Sequence, residues 1–158
     1  MPLKILVTGG SGFIGSALVR ILINEYDHDV VNIDKHTYAA NPKALESVES
    51  NSKYKFYKCD ICDLDMVKEI FDKEKPNKIM HLAAESHVDR SISSSLDFIK
   101  TNIFGTYQLL EISRNYFDKL SSDEKNLFTF HHISTDEVYG DLSLDDPSFT
   151  ELHRYKPS

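Results

Sequence analysis

The sequence has only two cysteines, Cys59 and Cys62. Their C-x-x-C spacing can mark a redox pair or half of a zinc site. No second pair accompanies them, and "KCDICD" holds neither proline nor tryptophan, so they read as incidental thiols at a strand end. Long apolar runs are also absent, which excludes a helical membrane span. Basic charge is in deficit, with 18 Lys and Arg against 25 Asp and Glu, a net charge of −7 and a pI near 5.4. A nucleic-acid or anionic-membrane binder would need a basic face, so neither partner is expected. There is no internal repeat, and no low-complexity stretch beyond the serines at 93–95. No signal-peptide pattern precedes the first strand, since Met1-Pro2-Leu3-Lys4 leads straight into it, and a cytoplasmic protein is expected.

What is present is enough apolar residue, 41% of 158, to bury the core of one ordinary domain. Short apolar runs alternate with helical periodicity. Strands are expected at 3–9, 29–34, 54–60, 78–84 and 126–134. Helices are expected at 13–26, at 42–50 after a loop, at 63–75 opened by Asp63, and at 93–117; the tail from 141 reads as polar loop. Strand–helix alternation implies an α/β fold, a parallel sheet with helices on both faces. On the long helix, Leu96, Ile99, Ile103, Leu110 and Phe117 form one apolar stripe, and Phe104, Tyr107 and Leu109 lie off it. A helix apolar on two sides is covered on two sides. The sheet is one cover; further chain or another subunit is the other.

"TGGSGFIG" joins the first strand to the first helix. Gly9, Gly12 and Gly15 give G-x-x-G-x-x-G. The first permits a tight turn, the second lets backbone N–H groups approach a pyrophosphate, and the third lets helix and strand pack closely. Nineteen residues after Gly15 the second strand ends in Asp34. A carboxylate there can bond the adenosine ribose hydroxyls and would repel a 2′-phosphate, favouring NAD over NADP. Lys35 beside it weakens that preference. His81, His87, His131 and His132 raise the question of a metal, but His131 and His132 are strand neighbours pointing to opposite faces, and no metal site is expected.

The glycine spacing resembles the extended branch of the short-chain dehydrogenase/reductase superfamily. "VVNIDKHTYAANPKAL", "HLAAESHVDRSI" and "STDEVYG" together resemble the dTDP-glucose 4,6-dehydratase family over nearly the whole chain. The resemblance implies a Rossmann-like sheet with NAD along its strand ends. Gly9, Gly12, Phe13, Ile14 and Gly15 would form the phosphate loop, and Asp34, Lys35, His36 and Thr37 would surround the adenosine ribose. Asp60 and Ile61 would flank the adenine, which gives "CDIC" a use without thiol chemistry. Leu82, Ala83, Ala84, Glu85 and Ser86 would line the nicotinamide side, with Thr101 facing in from the long helix. Ser86, His87 and Thr135 would reach the sugar. One departure is Ala40, where the family pattern has Gly, so a permissive backbone angle is needed there.

The strand 126–134 delivers Thr135, Asp136 and Glu137 at what the pattern makes the end of a buried strand. Charges there are costly unless they are used. On the residues alone, a solvated or helix-capping pair remains open. The resemblance implies dehydration of a nucleotide-linked glucose, dTDP-glucose. Glu137 would take the C5 proton, Asp136 would protonate the departing C6 hydroxyl, and Thr135 would bond the C4 oxygen. Two carboxyls held at different pKa can divide acid and base work in this way.

The family's hydride step also needs Tyr-x-x-x-Lys on a helix. Tyr54 and Lys58 have the spacing but fall on an expected strand, where residues four apart stand about 13 Å from each other. Tyr155 would need a lysine at 159. The expectation is therefore that residues 1–158 are an incomplete NAD-binding domain, an N-terminal portion truncated after about five strands. The remaining strands, the Tyr–Lys pair and the substrate domain would be absent, the chain would be inactive alone, and the full-length enzyme would be a homodimer. Another extended short-chain enzyme on nucleotide sugars, an epimerase or decarboxylase, is the alternative, as is a non-catalytic dinucleotide-binding domain.

Overall fold

Val- and Ile-rich runs flanked by helices can bury both faces only in a parallel sheet covered twice. The computed structural model describes residues 2–157, the side chains of Val88 and Arg90 excepted. Strands β1 (Lys4–Thr8), β2 (Asp29–Asp34), β3 (Tyr54–Lys58), β4 (Lys78–His81) and β5 (Thr129–His132) lie in the order β3-β2-β1-β4-β5, every pairing parallel. The chain runs outward from β1 to β3, then crosses back to β4. The crevice at the strands' carboxyl ends beside β1 is the switch point where such sheets place ligands.

Strand alternation sorts the core into two halves. Ile5, Val7 and Val30 meet Val19, Leu22 and Ile23 of α1 (Phe13–Asn24), together with Leu45 and Val48. Leu45 ends a 3₁₀ turn, Pro42–Leu45, and Val48 lies in the single turn α2 (Glu46–Glu49). On the other face, Leu6, Val31, Ile33 and Ile79 meet Val67, Ile70 and Phe71 of α3 (Leu64–Glu74). Asp63 caps α3, accepting from the Met66 N–H at 3.1 Å, as its position before the apolar run suggested. The α3 C-terminus buries Glu74 between Lys55 at 2.9 Å and the Tyr57 hydroxyl at 2.7 Å. Burial pushes that carboxyl up, but the hydrogen bonds from Tyr57 and Lys55 and the charges of Lys55 and Lys4 outweigh it and hold the group below the usual range.

Past β4 the sequence reading needs correction. A helix not expected there, α4 (Val88–Ser93), precedes the long one. The long helix starts at Ser95, as α5 (Ser95–Phe98), widens into a π-helical segment, Ile99–Gly105, and continues as α6 (Thr106–Asp118). Its sheet-facing side is Thr101, Gly105, Leu109, Ile112 and Ser113, the side of Leu109 and not that of the stripe. Leu96, Ile99, Ile103 and Leu110 are exposed instead, along with Phe104 and Tyr107. Helical spacing identified an apolar face but could not say which face met the sheet. Small residues win that side because they let the helix lie close; Gly105 sits under Ile61. The expected strand at 126–134 begins as a helix, α7 (Ser122–Leu127), opened by a Ser121–Glu124 capping box. What remains, β5, is an edge strand with only Phe130 half-buried, not a run into the core.

The tail folds back: Lys156 N–H donates to Val138 O at 2.9 Å, and Tyr139 stacks near Phe149 and Tyr155. Ala40 needs no special angle, because it is not among the described residues of positive φ. Tyr54 and Lys58 lie on β3, which removes them as a helical pair. Among the described residues no helix is long and apolar enough to cross a membrane.

One buried polar group ties sheet to helix. His81, 1% exposed, has Nδ1 2.7 Å from Thr8 Oγ1 and Nε2 3.0 Å from Thr106 Oγ1. Burial and, secondarily, the nearby His132 push its pKa down to about 4. The unfolded chain therefore takes the proton first. This contribution is complete above the ordinary value of 6.5 and is lost as pH falls toward 4. We expect urea denaturation to show stability falling by about 2 kcal/mol between pH 6.5 and 4.5. His81→Gln, which keeps a donor and an acceptor but does not titrate, should flatten the profile. An unchanged slope in that variant would contradict the assignment.

Candidate dinucleotide and acid–base site

The glycine loop closes in space that side chains would fill. Gly9 has φ +72°, and a Cβ on it would lie 2.7 Å from Ala83 N. A Cβ on Gly15 would lie 2.2 Å from Gly9 O, so α1 can approach β1 this closely only with glycine there. Gly12 is the N-cap of α1 and caps it with no side chain, leaving the first-turn N–H groups to a ligand. Phe13 and Ile14, at 94% and 65% exposure, stand at that open end although both are large and apolar.

Asp34 is bound to this loop directly. Its carboxylate accepts from the Ser11 N–H at 3.0 Å and from the His36 N–H at 2.8 Å. His36, at φ +55°, turns its ring back so that Nε2 lies 3.0 Å from Ser11 Oγ, and it stacks on Phe56 of β3. From below, the buried Asn32 donates to Ser11 Oγ and to the Tyr54 hydroxyl. Asn41 N–H donates to Ser11 O at 2.8 Å, so the segment after Thr37 is tied to the same residue. Ser11, Asn32 and Asn41 were not among the residues expected here. A polar residue inside "DVVNID" is the only signal that could have drawn attention to Asn32.

Lys35 spans the crevice. Its Nζ lies 3.6 Å from Asp60, 3.5 Å from Glu85 and 3.3 Å from Thr101 Oγ1, joining the ends of β2, β3 and β4 to the π-helical segment. Thr101 is buried and faces in, where it was expected. Ile61 lies under Gly105. Cys59 is in the core, and burial, aided by the charges of Asp63 and Asp60, pushes its thiol up to about 11; this is the opposite of an activated thiolate. Cys62 is likewise raised by burial and donates to Lys100 O. Both thiols are free.

Leu82 and Ala83 are fixed to β1 through the Thr8 carbonyl and hydroxyl at 3.1 and 3.2 Å. Ala84 and Glu85 continue toward the crevice, and Ser86 and His87 are exposed beyond them. The next strand over, β5, is still paired when Ile133 N–H donates to His81 O at 3.0 Å. The segments 82–87 and 134–137 thus leave neighbouring strands at the same edge.

Thr135, Asp136 and Glu137 are exposed on a 3₁₀ turn, Asp136–Tyr139, not at the end of a buried strand. The Thr135 hydroxyl accepts from the Glu137 N–H and donates to Asp136, both at 3.3 Å. Thr135 thus caps the turn, and neither carboxylate is buried. All the expected cofactor residues lie on the carboxyl edge of the sheet. Asp136 and Glu137 are brought to that edge but face solvent. Among the described residues, no three His, Cys, Asp or Glu side chains are grouped as metal ligands.

Comparison with known proteins gives the family. Over 156 residues the chain is 62% identical to a dTDP-glucose 4,6-dehydratase of Haemophilus influenzae, covering 99% of this chain and 46% of that one. The fold superposes on a dTDP-glucose 4,6-dehydratase of Streptomyces venezuelae, solved with NAD bound, at a TM-score of 0.83 and 36% identity, over 98% of this chain and 46% of that one. It also superposes on a UDP-Glc/GlcNAc 4-epimerase of Campylobacter jejuni at 0.82 and 28%, over 99% of this chain and 44% of that one. The chain thus spans a little under half the length of these proteins. Residues 6–158 match the family described as GDP-mannose 4,6 dehydratase, and with its glycine loop, Asp34 and strand-end residues arranged as above, the chain belongs to that family.

Proposed function

We propose that the chain is the NAD-binding portion of a cytoplasmic nucleotide-sugar 4,6-dehydratase, a hydro-lyase acting on dTDP-glucose. The observation that carries this reading is the Asp34 carboxylate, held against the glycine loop at the uncapped N-terminus of α1. That arrangement fits a dinucleotide: open N–H groups for the pyrophosphate, and a carboxylate where the ribose hydroxyls arrive. Gly9, Gly12, Phe13, Ile14 and Gly15 hold the phosphates. Asp34, Lys35, His36 and Thr37 hold the ribose, Asp60 and Ile61 the adenine, and residues 82–86 with Thr101 the nicotinamide. The chemistry that NAD supplies in such a site is reversible hydride transfer.

On a 4-keto sugar, whose carbonyl acidifies the C5 proton, Glu137 removes that proton and Asp136 donates one to the departing C6 hydroxyl. Thr135 must turn its hydroxyl from Asp136 to the C4 oxygen as the sugar arrives. Ser86 and His87 meet the sugar from the β4 side. Residues 1–158 are, on this reading, the dinucleotide part of a larger sheet, with the Tyr–Lys pair and the nucleotide-binding part of the relatives lying outside them. The epimerase of like fold means that fold does not separate the two activities; the acid–base pair Asp136–Glu137 favours dehydration. The exposed face of Leu96, Ile99, Ile103 and Leu110 supports a homodimer of the full-length enzyme.

Calorimetry should find NAD bound and NADP bound at least tenfold more weakly. Asp34→Asn should weaken NAD about tenfold and narrow the gap, since it removes the charge that repels a 2′-phosphate. Equal affinity for the two dinucleotides would sink the Asp34 assignment. In sedimentation of the full-length protein, Ile103→Glu should shift a dimer to monomer with NAD affinity unchanged; a monomeric full-length wild type would remove the dimer reading.

A further inference from the structure

The loop that the nicotinamide reading depends on is held from an unexpected side. Asn102, in the π-helical segment, accepts from the Glu85 N–H through Oδ1 at 2.8 Å and donates through Nδ2 to the Glu85 carbonyl, also at 2.8 Å. One amide therefore satisfies both backbone groups of one residue, as a neighbouring strand would. Leu82 and Ala83 are tied to β1, Ala84 is exposed, and Ser86 and His87 extend past the clamp. Glu85 also places its carboxylate, 12% exposed, 3.5 Å from Lys35. The π geometry adds a residue to the turn, and here both Thr101 and Asn102 meet the strand ends: Thr101 accepts from Lys35 while Asn102 clamps Glu85.

We propose that Asn102 is the positioning residue for the nicotinamide-side loop: its amide fixes the Glu85 peptide units and so aims Ser86 and His87 into the crevice. The inference rests on the dinucleotide reading above. The adenosine and pyrophosphate half is built from Gly9–Gly15, Asp34 and Asp60, whose supports are Asn32, Asn41 and the backbone of β1 and β2. None of those supports is Asn102. Its loss should therefore be felt at one end of the ligand only.

Asn102→Asp is the sharp variant. It keeps the acceptor for the Glu85 N–H but sets a carboxylate against the Glu85 carbonyl. Asn102→Ala removes both bonds and adds no charge. Binding of NAD and of ADP-ribose, which lacks the nicotinamide, is measured by calorimetry on the whole chain. Both variants should weaken NAD about tenfold and leave ADP-ribose within about twofold of wild type. In the unliganded chain, the Glu85 amide should lose hydrogen-exchange protection in Asn102→Ala. Equal weakening of both ligands, or no weakening of either, overturns the positioning role while leaving the dinucleotide reading intact. A wild type that binds neither ligand overturns that reading and this inference with it.

Discussion

The Asp34 carboxylate is the fastening on which the rest of the site depends. It accepts hydrogen bonds from two backbone N–H groups, one in the glycine loop and one just past its own strand. Bonds to an ionised acceptor are about twice as strong as neutral ones. This one joins the ends of β1 and β2, fixes the entry of α1, and leaves the helix's first-turn donors pointing into the crevice. The position of Ser11, the return of His36 over it and the approach of Asn41 all follow from that contact. A glycine loop without it would be a turn of uncertain direction; with it, the uncapped N-terminus of α1 and the Asp34 carboxylate are a single unit.

Several polar groups under the site likewise tie elements together. His81 spans β1 and α6, Asn32 spans the glycine loop and Tyr54, and Asn102 spans the helix and the β4 loop. Thr8 supports Ala83 from below while also meeting His81. These bonds are directional where apolar packing is not, so they set the register of loops that the two hydrophobic cores only hold in place. The turn that carries Asp136 and Glu137 stands apart. It hangs from an edge strand with one bare face, and its carboxylates lie in water. Differences in environment large enough to divide acid from base work would have to come from groups brought against it.

Much of this was legible in the sequence, for reasons that differ by region. The first half reads cleanly because each buried strand is a short run of β-branched residues ended by a glycine or aspartate that does something definite. Gly9, Gly15, Asp34 and Asp63 each occupy the position their chemistry demands. The second half reads poorly. On the long helix the apolar residues outnumber what the sheet can cover, so periodicity gave two apolar faces with no choice between them; the sheet took the side of Thr101, Gly105 and Leu109. The π-helical turn has no composition signal, and it alone brings Asn102 to Glu85. At 126–134 a capping box hidden in "SSDE" claimed two residues that alternation gave to β5. Asn32 and Asn102 were passed over because a lone amide in an apolar run has no motif; only its partners reveal it.

The central claim is that one carboxyl edge, organised by Asp34, receives a dinucleotide along its whole length. Amide chemical shifts of the isotope-labelled chain, followed as NAD is added, test it most directly. The account predicts saturable shifts at 9–15, 34–37, 60–61, 82–86 and 101. The opposite edge, around Lys4, Lys53 and Lys55, should stay still. Shifts confined to that opposite edge, or scattered over the surface without saturation, would contradict it.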